Sequence, residues 1–225
     1  MQYKIEGTPF PAAIVRLENG ESINCASGAM SWMTSNMQMK TGTGGGLGKM
    51  FGRALTGENL FTNTYTANGG VGEIAFAATM CGQIIPFDVT NRTIVAQKSA
   101  FLALQPSVEM SVFFQKKLSS GFFGGEGFIM QKFSGQGVVF LEFDGSIVEY
   151  DLAAGQEMQF DTGHLAAMDE TCSMNITMNK GLGNILAGGE GLFNTTVTGP
   201  GHIWVQTMPL SKFAESMMRY IPKGN

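Results

Sequence analysis

The fold prediction starts from the stretch GEGLFNTTVTGPGHIWV at residues 189–205, because the chain contains this pattern three times. Residues 125–141 read GEGFIMQKFSGQGVVFL, and residues 57–76 read GENLFTNTYTANGGVGEIAF with a longer turn. Each copy has Gly-Glu, an apolar pair, an alternating run, a turn that contains glycine and a second apolar run. Alternating runs joined by a glycine turn are typical of β-hairpins, so the sequence predicts three of them.

Each hairpin ends a longer repeat. A second recurring stretch precedes it, in which the small residues Gly28, Ser99 and Gly163 align, and an alternating strand and a glycine-rich loop follow. We place three β repeat units at residues 1–83, 84–146 and 147–207. Many short alternating strands with glycine turns predict an all-β protein built as sandwiches or barrels.

Residues 208–225 break this pattern. Leu210, Phe213, Ala214 and Met217 follow the spacing of one helix face, so we predict a C-terminal amphipathic helix over residues 209–220. Its apolar face needs a partner, which is either the last β unit or a neighbouring subunit.

Composition narrows the function classes. The net charge of −4 argues against a general polyanion binder and leaves only a local basic patch as a route to nucleic acid. The three cysteines form no Cys-x-x-Cys, which disfavours a disulfide framework or a zinc knuckle. The start, MQYKIEGTPFP, has no basic segment followed by an apolar run, and no apolar run is long enough to span a bilayer. We therefore expect a cytoplasmic protein, with peripheral membrane attachment as the open alternative.

The chain also resembles a known family. The resemblance covers nearly its whole length and rests on GGGLG at residues 44–48, GE at 57–58, AFLA at 100–103, GEG at 189–191 and PLSKF at 209–213. In their order and spacing these motifs are similar to those of the AIM-type mitochondrial-biogenesis family. The resemblance implies repeated domains with a fold like that of the tryptophan RNA-binding attenuation protein, assembled as a trimer. It brings no catalytic residues that could be transferred to this chain.

A search for chemistry gives no catalytic residue, metal ligand or cofactor site. His164 and His202 are not repeated between the units, so we interpret each as a hydrogen-bonded or exposed imidazole rather than a ligand. Cys172 fits no nucleophile motif. The loop GTGGGLGK at residues 42–49 lacks the hydroxyl residue of a phosphate-binding loop, because Met50 follows the lysine. We expect a protein that is not an enzyme and binds no cofactor.

The loops before the hairpins are the candidate interaction surface, because they combine apolar and basic residues where loops are normally polar. The candidate residues of the first loop are Leu47, Lys49, Met50, Phe51 and Arg53. Those of the second are Lys116, Lys117, Phe122 and Phe123, and those of the third are Lys180, Leu182, Ile185 and Leu186. They either plug the open ends of small barrels or pack between subunits, or they present a multivalent surface to an anionic membrane or a partner protein.

These observations together predict a homo-oligomeric scaffold or interaction protein, most simply a homotrimer, that docks to a membrane or protein partner through its loops. The alternative is RNA binding, which rests only on analogy with the fold.

Overall fold

The computed structural model describes residues 1–43, 61–116, 127–178, 193–218 and 220. The chain divides into two compact units. Unit 1 comprises Met1–Thr90, Phe101–Glu109 and Gly135–Glu142. Unit 2 comprises Asn91–Ala100, Met110–Ser134 and Phe143–Asn225.

Unit 1 contains two β-sheets, whose strands are numbered in chain order. The four-stranded sheet has the spatial order β1 (Gln2–Glu6), β2 (Ala12–Leu17), β7 (Gly72–Ala77) and β4 (Trp32–Met33). The six-stranded sheet has the order β5 (Met37–Thr43), β6 (Phe61–Ala67), β3 (Ser22–Ala26), β10 (Phe101–Leu104), β13 (Val138–Asp144) and β8 (Gly82–Asp88).

Unit 2 also contains two sheets. The six-stranded sheet has the order β11 (Val108–Lys116), β12 (Phe128–Gly135), β9 (Ile94–Gln97), β16 (Leu165–Asp169), β19 (Gly201–Gln206) and β14 (Ile147–Leu152). The three-stranded sheet has the order β15 (Glu157–Asp161), β18 (Phe193–Thr198) and β17 (Ser173–Met178). Short 3-10 turns at Lys98–Ala100 and Thr162–His164 precede β10 and β16.

The three hairpins that the sequence predicts have the same pattern of neighbouring strands. The second strand of each hairpin is β7, β13 or β19, and it lies between β2 and β4, between β8 and β10, or between β14 and β16. The first strand is β6, β12 or β18, and its neighbours recur in the same way. The all-β class with a short C-terminal helix is therefore confirmed. The compact units divide the middle repeat between them, and the residue boundaries of the repeats stay a prediction.

Alternation along the strands produces the two cores. In unit 1, Val15, Leu17, Ile23 and Cys25 are completely buried, as the two-residue period predicts for half-buried strands. In unit 2, Phe128, Leu165, Met168 and Ile203 are buried in one cluster, and Val205 packs against it. Burial of such side chains contributes about 1.5–3 kcal/mol each, so these clusters supply the main stabilisation of each unit.

The C-terminal helix α1 spans Leu210–Met218 and is shorter than the predicted segment. Its first turn is attached to unit 2, because the Leu210 backbone N–H donates to Asp144 Oδ2 at 2.9 Å and Lys212 pairs with Asp161 at 2.5 Å. Met217 and Met218 remain exposed, so unit 2 covers the apolar face only in part. Within the described parts of the chain, no helix is long and apolar enough to cross a membrane.

Candidate functional site

An open pocket of about 600 Å³ lies in unit 2, at one end of the six-stranded sheet. Its lining comes from residues 91–93 before β9, Glu149 on β14, residues 169–171 at the end of β16, and His202 and Trp204 on β19. Antiparallel pairing brings these segments together, because Glu149 lies opposite Trp204 and Asp169 lies opposite Ile94. We call this the His202 pocket.

His202 is held by two carboxylates. Its ring Nδ1 lies 2.6 Å from Asp151 Oδ1, and its ring Nε2 lies 2.8 Å from Glu149 Oε2. Partial burial opposes the charged imidazolium, but the hydrogen bonds to Asp151 and Glu149 outweigh it and raise the pKa of His202 above its ordinary value. Only the protonated ring can donate from both nitrogens, so this geometry favours the imidazolium.

Asp169 connects the two sides of the pocket. The Arg92 guanidinium donates from Nη2 to Asp169 Oδ1 at 2.7 Å, and the His202 backbone N–H donates to Asp169 Oδ2 at 2.9 Å. Arg92 also lies over the Trp204 ring, with Cζ 5.2 Å from the ring centroid. The His202 ring packs on Trp204 with centroids 4.5 Å apart. The arginine and the imidazole therefore contact the same indole, which holds the pocket wall in place.

The turn before His202 requires glycine. Gly201 has φ +149°, and a Cβ atom added there would lie 2.6 Å from Cys172 Sγ and 2.7 Å from Thr171 Oγ1. Both atoms belong to the loop that follows β16, so the absence of a side chain lets the two chain segments approach closely. The glycine turn of the third hairpin thus places His202 beside Asp169.

Negative charge exceeds positive charge around the pocket. Glu149, Asp151, Asp169 and Glu170 supply four carboxylates, and the permanent cations that pair with them are Arg92 and Lys132. Four negative charges against these two give a net charge of −2 with His202 neutral and −1 with it protonated. The pocket therefore attracts a further cation more readily than an anion.

The described residues contain no group of three or more His, Cys, Asp or Glu side chains arranged to hold a metal ion. Both nitrogens of His202 already contact carboxylates, so the interpretation of this residue as a hydrogen-bonded imidazole is confirmed. The same holds for His164, whose Nδ1 lies 2.8 Å from the Gln206 carbonyl oxygen. Cys172 is buried, and burial raises the pKa of its thiol, which disfavours a nucleophilic thiolate.

The interaction loops that the sequence predicts lie almost entirely outside the described residues. Lys116 is the exception. It ends β11, and its Nζ donates to the carbonyl oxygen of Ile176 on the neighbouring part of unit 2. The other twelve candidates stay predictions; they are Leu47, Lys49, Met50, Phe51, Arg53, Lys117, Phe122, Phe123, Lys180, Leu182, Ile185 and Leu186.

Sequence reasoning did not identify the His202 pocket. Its charged residues lie in four separate segments, and only Glu149 and Asp151 give a local signal, because their two-residue spacing places both on one face of a strand. The pairing of that strand with β19 would have placed them beside His202, but register is not visible in the sequence of either strand.

Repeated hairpin units and a polar pocket on a β-sheet define a class of repeat-built all-β proteins. The chain belongs to the mitochondrial biogenesis AIM24 family, whose model matches residues 3–208. This confirms the family resemblance seen in the sequence. An uncharacterized protein of Streptococcus pyogenes serotype M6, M6_Spy0233, is 32% identical over 96% of this chain and 89% of its own length. The crystal structure of SPYM3_0169 from Streptococcus pyogenes is similar with a TM-score of 0.79 and 28% identity, covering 98% of this chain and 99% of that one.

Proposed function

We propose that this member of the family is a non-catalytic interaction protein whose His202 pocket binds a cationic group of a partner protein. The observation that supports the proposal is the charge imbalance at the pocket, whose lining carries the carboxylates of Glu149, Asp169 and Glu170 against the Arg92 guanidinium and the His202 imidazole. A lysine or arginine side chain of a partner would balance this excess and could pack its aliphatic part against the pocket wall.

The polar side chains of the pocket already contact one another, which favours a binding site over a catalytic site. A general base needs a lone pair directed at the substrate, whereas both His202 nitrogens contact carboxylates. Arg92 is paired with Asp169 and packed on Trp204, so its charge is already neutralised. Carboxylates that are already positioned by hydrogen bonds suit recognition of a charged side chain, because less ordering is required on binding.

Trp204 provides the assay. The chain has two tryptophans, Trp32 and Trp204, so the Trp32→Phe variant reports the pocket alone. We expect tetralysine to change Trp204 fluorescence and tetraglutamate to leave it unchanged, with binding of tetralysine weakened several-fold by salt. Absence of any response to tetralysine at low salt, in protein that is folded by circular dichroism, would refute the proposal.

The same titration distinguishes cation binding from the alternative of RNA binding. RNA is a polyanion, and its binding requires basic residues and exposed aromatic side chains. Saturable, salt-sensitive binding of single-stranded RNA with no response to tetralysine would favour that alternative. The net charge of −4 leads us to expect the opposite result.

Homotrimer formation and docking through the hairpin loops belong to the same proposal and have their own tests. Light scattering coupled to size-exclusion chromatography should give three times the chain mass of 24.1 kDa. Liposome flotation should detect loop-dependent membrane binding, which a variant with Phe51, Phe122, Phe123 and Ile185 changed to Ser would lose. A monomer in the first experiment, or equal flotation of both proteins in the second, would remove that part of the proposal.

A further inference from the structure

The three repeats place three equivalent strands at the outer side of a hairpin. These strands are β2, β8 and β14, which lie beside β7, β13 and β19. In unit 1 the outer side of β2 is covered by β1, which pairs with it antiparallel over five residues. In the described sheets, β8 and β14 are edge strands with no such cover. Among the residues that the structure describes, there are therefore one covered copy and two uncovered copies of the same edge.

The two uncovered edges differ in their capacity to accept another strand. Pro86 lies within β8 and has no backbone N–H, which is a common protection of sheet edges. β14 contains no proline, and its four central residues, Val148, Glu149, Tyr150 and Asp151, are all exposed. A strand with unprotected polar backbone groups is a template for β-strand addition.

The hydrogen-bond register shows which backbone groups of β14 face outward. The Thr207 N–H donates to the Ser146 carbonyl oxygen at 3.0 Å, so Ser146 and Thr207 are a hydrogen-bonded pair. The next pair along the ladder is Ile147 and Gln206. Bonded and non-bonded pairs alternate in an antiparallel ladder, so the backbone groups of Ile147, Glu149 and Asp151 point away from β19. Two of these three residues carry the carboxylates that hold His202.

The covered copy indicates what kind of strand fits. Leu17 of β2 pairs with Gly72, and Leu152 of β14 pairs with Gly201 in the equivalent position. Three residues before these leucines lie Ile14 in β2 and Glu149 in β14, so these two residues correspond. The residue of β1 opposite Ile14 is Lys4, whose Nζ pairs with Glu6 Oε1 of the same strand at 2.8 Å. A lysine at the corresponding position of a strand on β14 would lie opposite Glu149, on the face that carries the His202 pocket.

We propose that the open edge of β14 binds an extended segment of a partner protein as an additional antiparallel strand, with basic residues opposite Glu149 and Asp151 and apolar residues opposite Val148 and Tyr150. The proposal rests on the proposed function, because it gives the structure of the partner that supplies the cation. A second copy of this chain is a poor occupant, because pairing β14 with itself brings carboxylates of the two copies together.

The test uses a peptide that contains Lys-Tyr-Lys-Ile-Lys, the β1 pattern with lysine at both ends. In the expected register the N–H of the central lysine faces β14 and the N–H of isoleucine faces away. N-methylation of the central lysine should therefore weaken binding about tenfold in calorimetry, whereas N-methylation of isoleucine should have little effect. The two methylated peptides have the same composition and charge, so only backbone pairing separates them.

Protein variants test the charge requirement. Glu149→Lys should abolish binding of the unmodified peptide, and Glu157→Lys, a matched change of an exposed glutamate on β15, should retain most of it. Circular dichroism confirms that each variant is folded.

The outcomes distinguish the two proposals. Equal affinity of the two methylated peptides, together with a Trp204 response to tetralysine, would overturn strand addition and leave the cation-binding pocket standing. Absence of both responses would overturn both. Self-association of the wild-type protein that the unmodified peptide disrupts would identify a second copy as the occupant of the edge and would also overturn strand addition by a partner.

Discussion

Replacement of Asp169 by asparagine is the sharpest test of how the His202 pocket is built. One carboxylate oxygen accepts from the Arg92 guanidinium at 2.7 Å, and the other accepts from the His202 backbone N–H at 2.9 Å. An asparagine has nearly the same shape, but one of the two oxygens becomes an NH₂ group. Whichever way the amide turns, one donor then faces another donor.

The magnitude follows from these two contacts. The Arg92–Asp169 pair is partly exposed, with side-chain exposures of 43% and 25%, so loss of its charge attraction costs about 1 kcal/mol or less. The donor facing a donor adds about 1–2 kcal/mol, because one polar group loses its partner. We expect Asp169→Asn to lower the free energy of unfolding by about 2 kcal/mol, which for a chain of 225 residues corresponds to about 4–8 °C in melting temperature.

Urea denaturation followed by circular dichroism measures this change. Glu170→Gln is the matched control, because it removes the neighbouring carboxylate, which pairs with Lys132 at 3.1 Å in a more exposed position. Its cost should stay below about 1 kcal/mol. Equal stabilities of the two variants would show that Asp169 does not connect the walls of the pocket, and the structural reasoning would be refuted.

Three further predictions concern the same unit and the thiols. The contribution of His202 to the free energy of unfolding should be full below its unfolded pKa of about 6.5 and lost as pH rises through its raised folded pKa. In urea melts, the stability difference between wild type and His202→Gln should therefore shrink as pH rises above about 6.5. Gly201→Ala should lower the free energy of unfolding by about 2–4 kcal/mol, because the added Cβ meets Cys172 and Thr171. Gly155→Ala is the control, since Gly155 has φ +76° but no atom within 4 Å of an added Cβ, and it should lower the free energy of unfolding by about 1 kcal/mol in the same melts. A thiol reagent should label Cys81 in the native protein, but it should label the buried Cys25 and Cys172 only on unfolding. Burial raises the pKa of Cys25 to about 11, so little reactive thiolate forms there. Rapid labelling of all three thiols in the native protein, detected by mass spectrometry, would contradict this prediction.

The proposed strand addition concerns one of three equivalent sheet edges that the repeated units create. Three equivalent edges arise whenever a hairpin unit is repeated, and each edge must be covered, protected or used. In this chain β1 covers the first edge and Pro86 protects the second. The third carries Glu149 and Asp151, whose charges oppose pairing with an acidic or identical strand and favour a basic one. The three edges are therefore treated differently, by a covering strand, by a proline and by a pair of carboxylates.

Much of the fold could be predicted because the relevant signals are local. Alternation of Val15, Leu17, Ile23 and Cys25 predicted buried strand faces, and the glycine turns predicted hairpins, since side-chain direction and turn geometry depend on neighbouring residues. The apolar spacing of residues 210–217 predicted the C-terminal helix for the same reason, and the structure has a helix over Leu210–Met218.

The threefold repeat, the all-β class and the family follow from residue order and spacing, so the sequence is sufficient to predict them. The contacts between charged residues depend on tertiary structure. Arg92, Glu149, Asp169 and His202 are separated along the chain, and the pairing of β14, β19, β16 and β9 brings them to one pocket. Strand register is fixed by burial of whole faces across distant segments, so the position of a polar site follows from the packed core and cannot be read from its own residues.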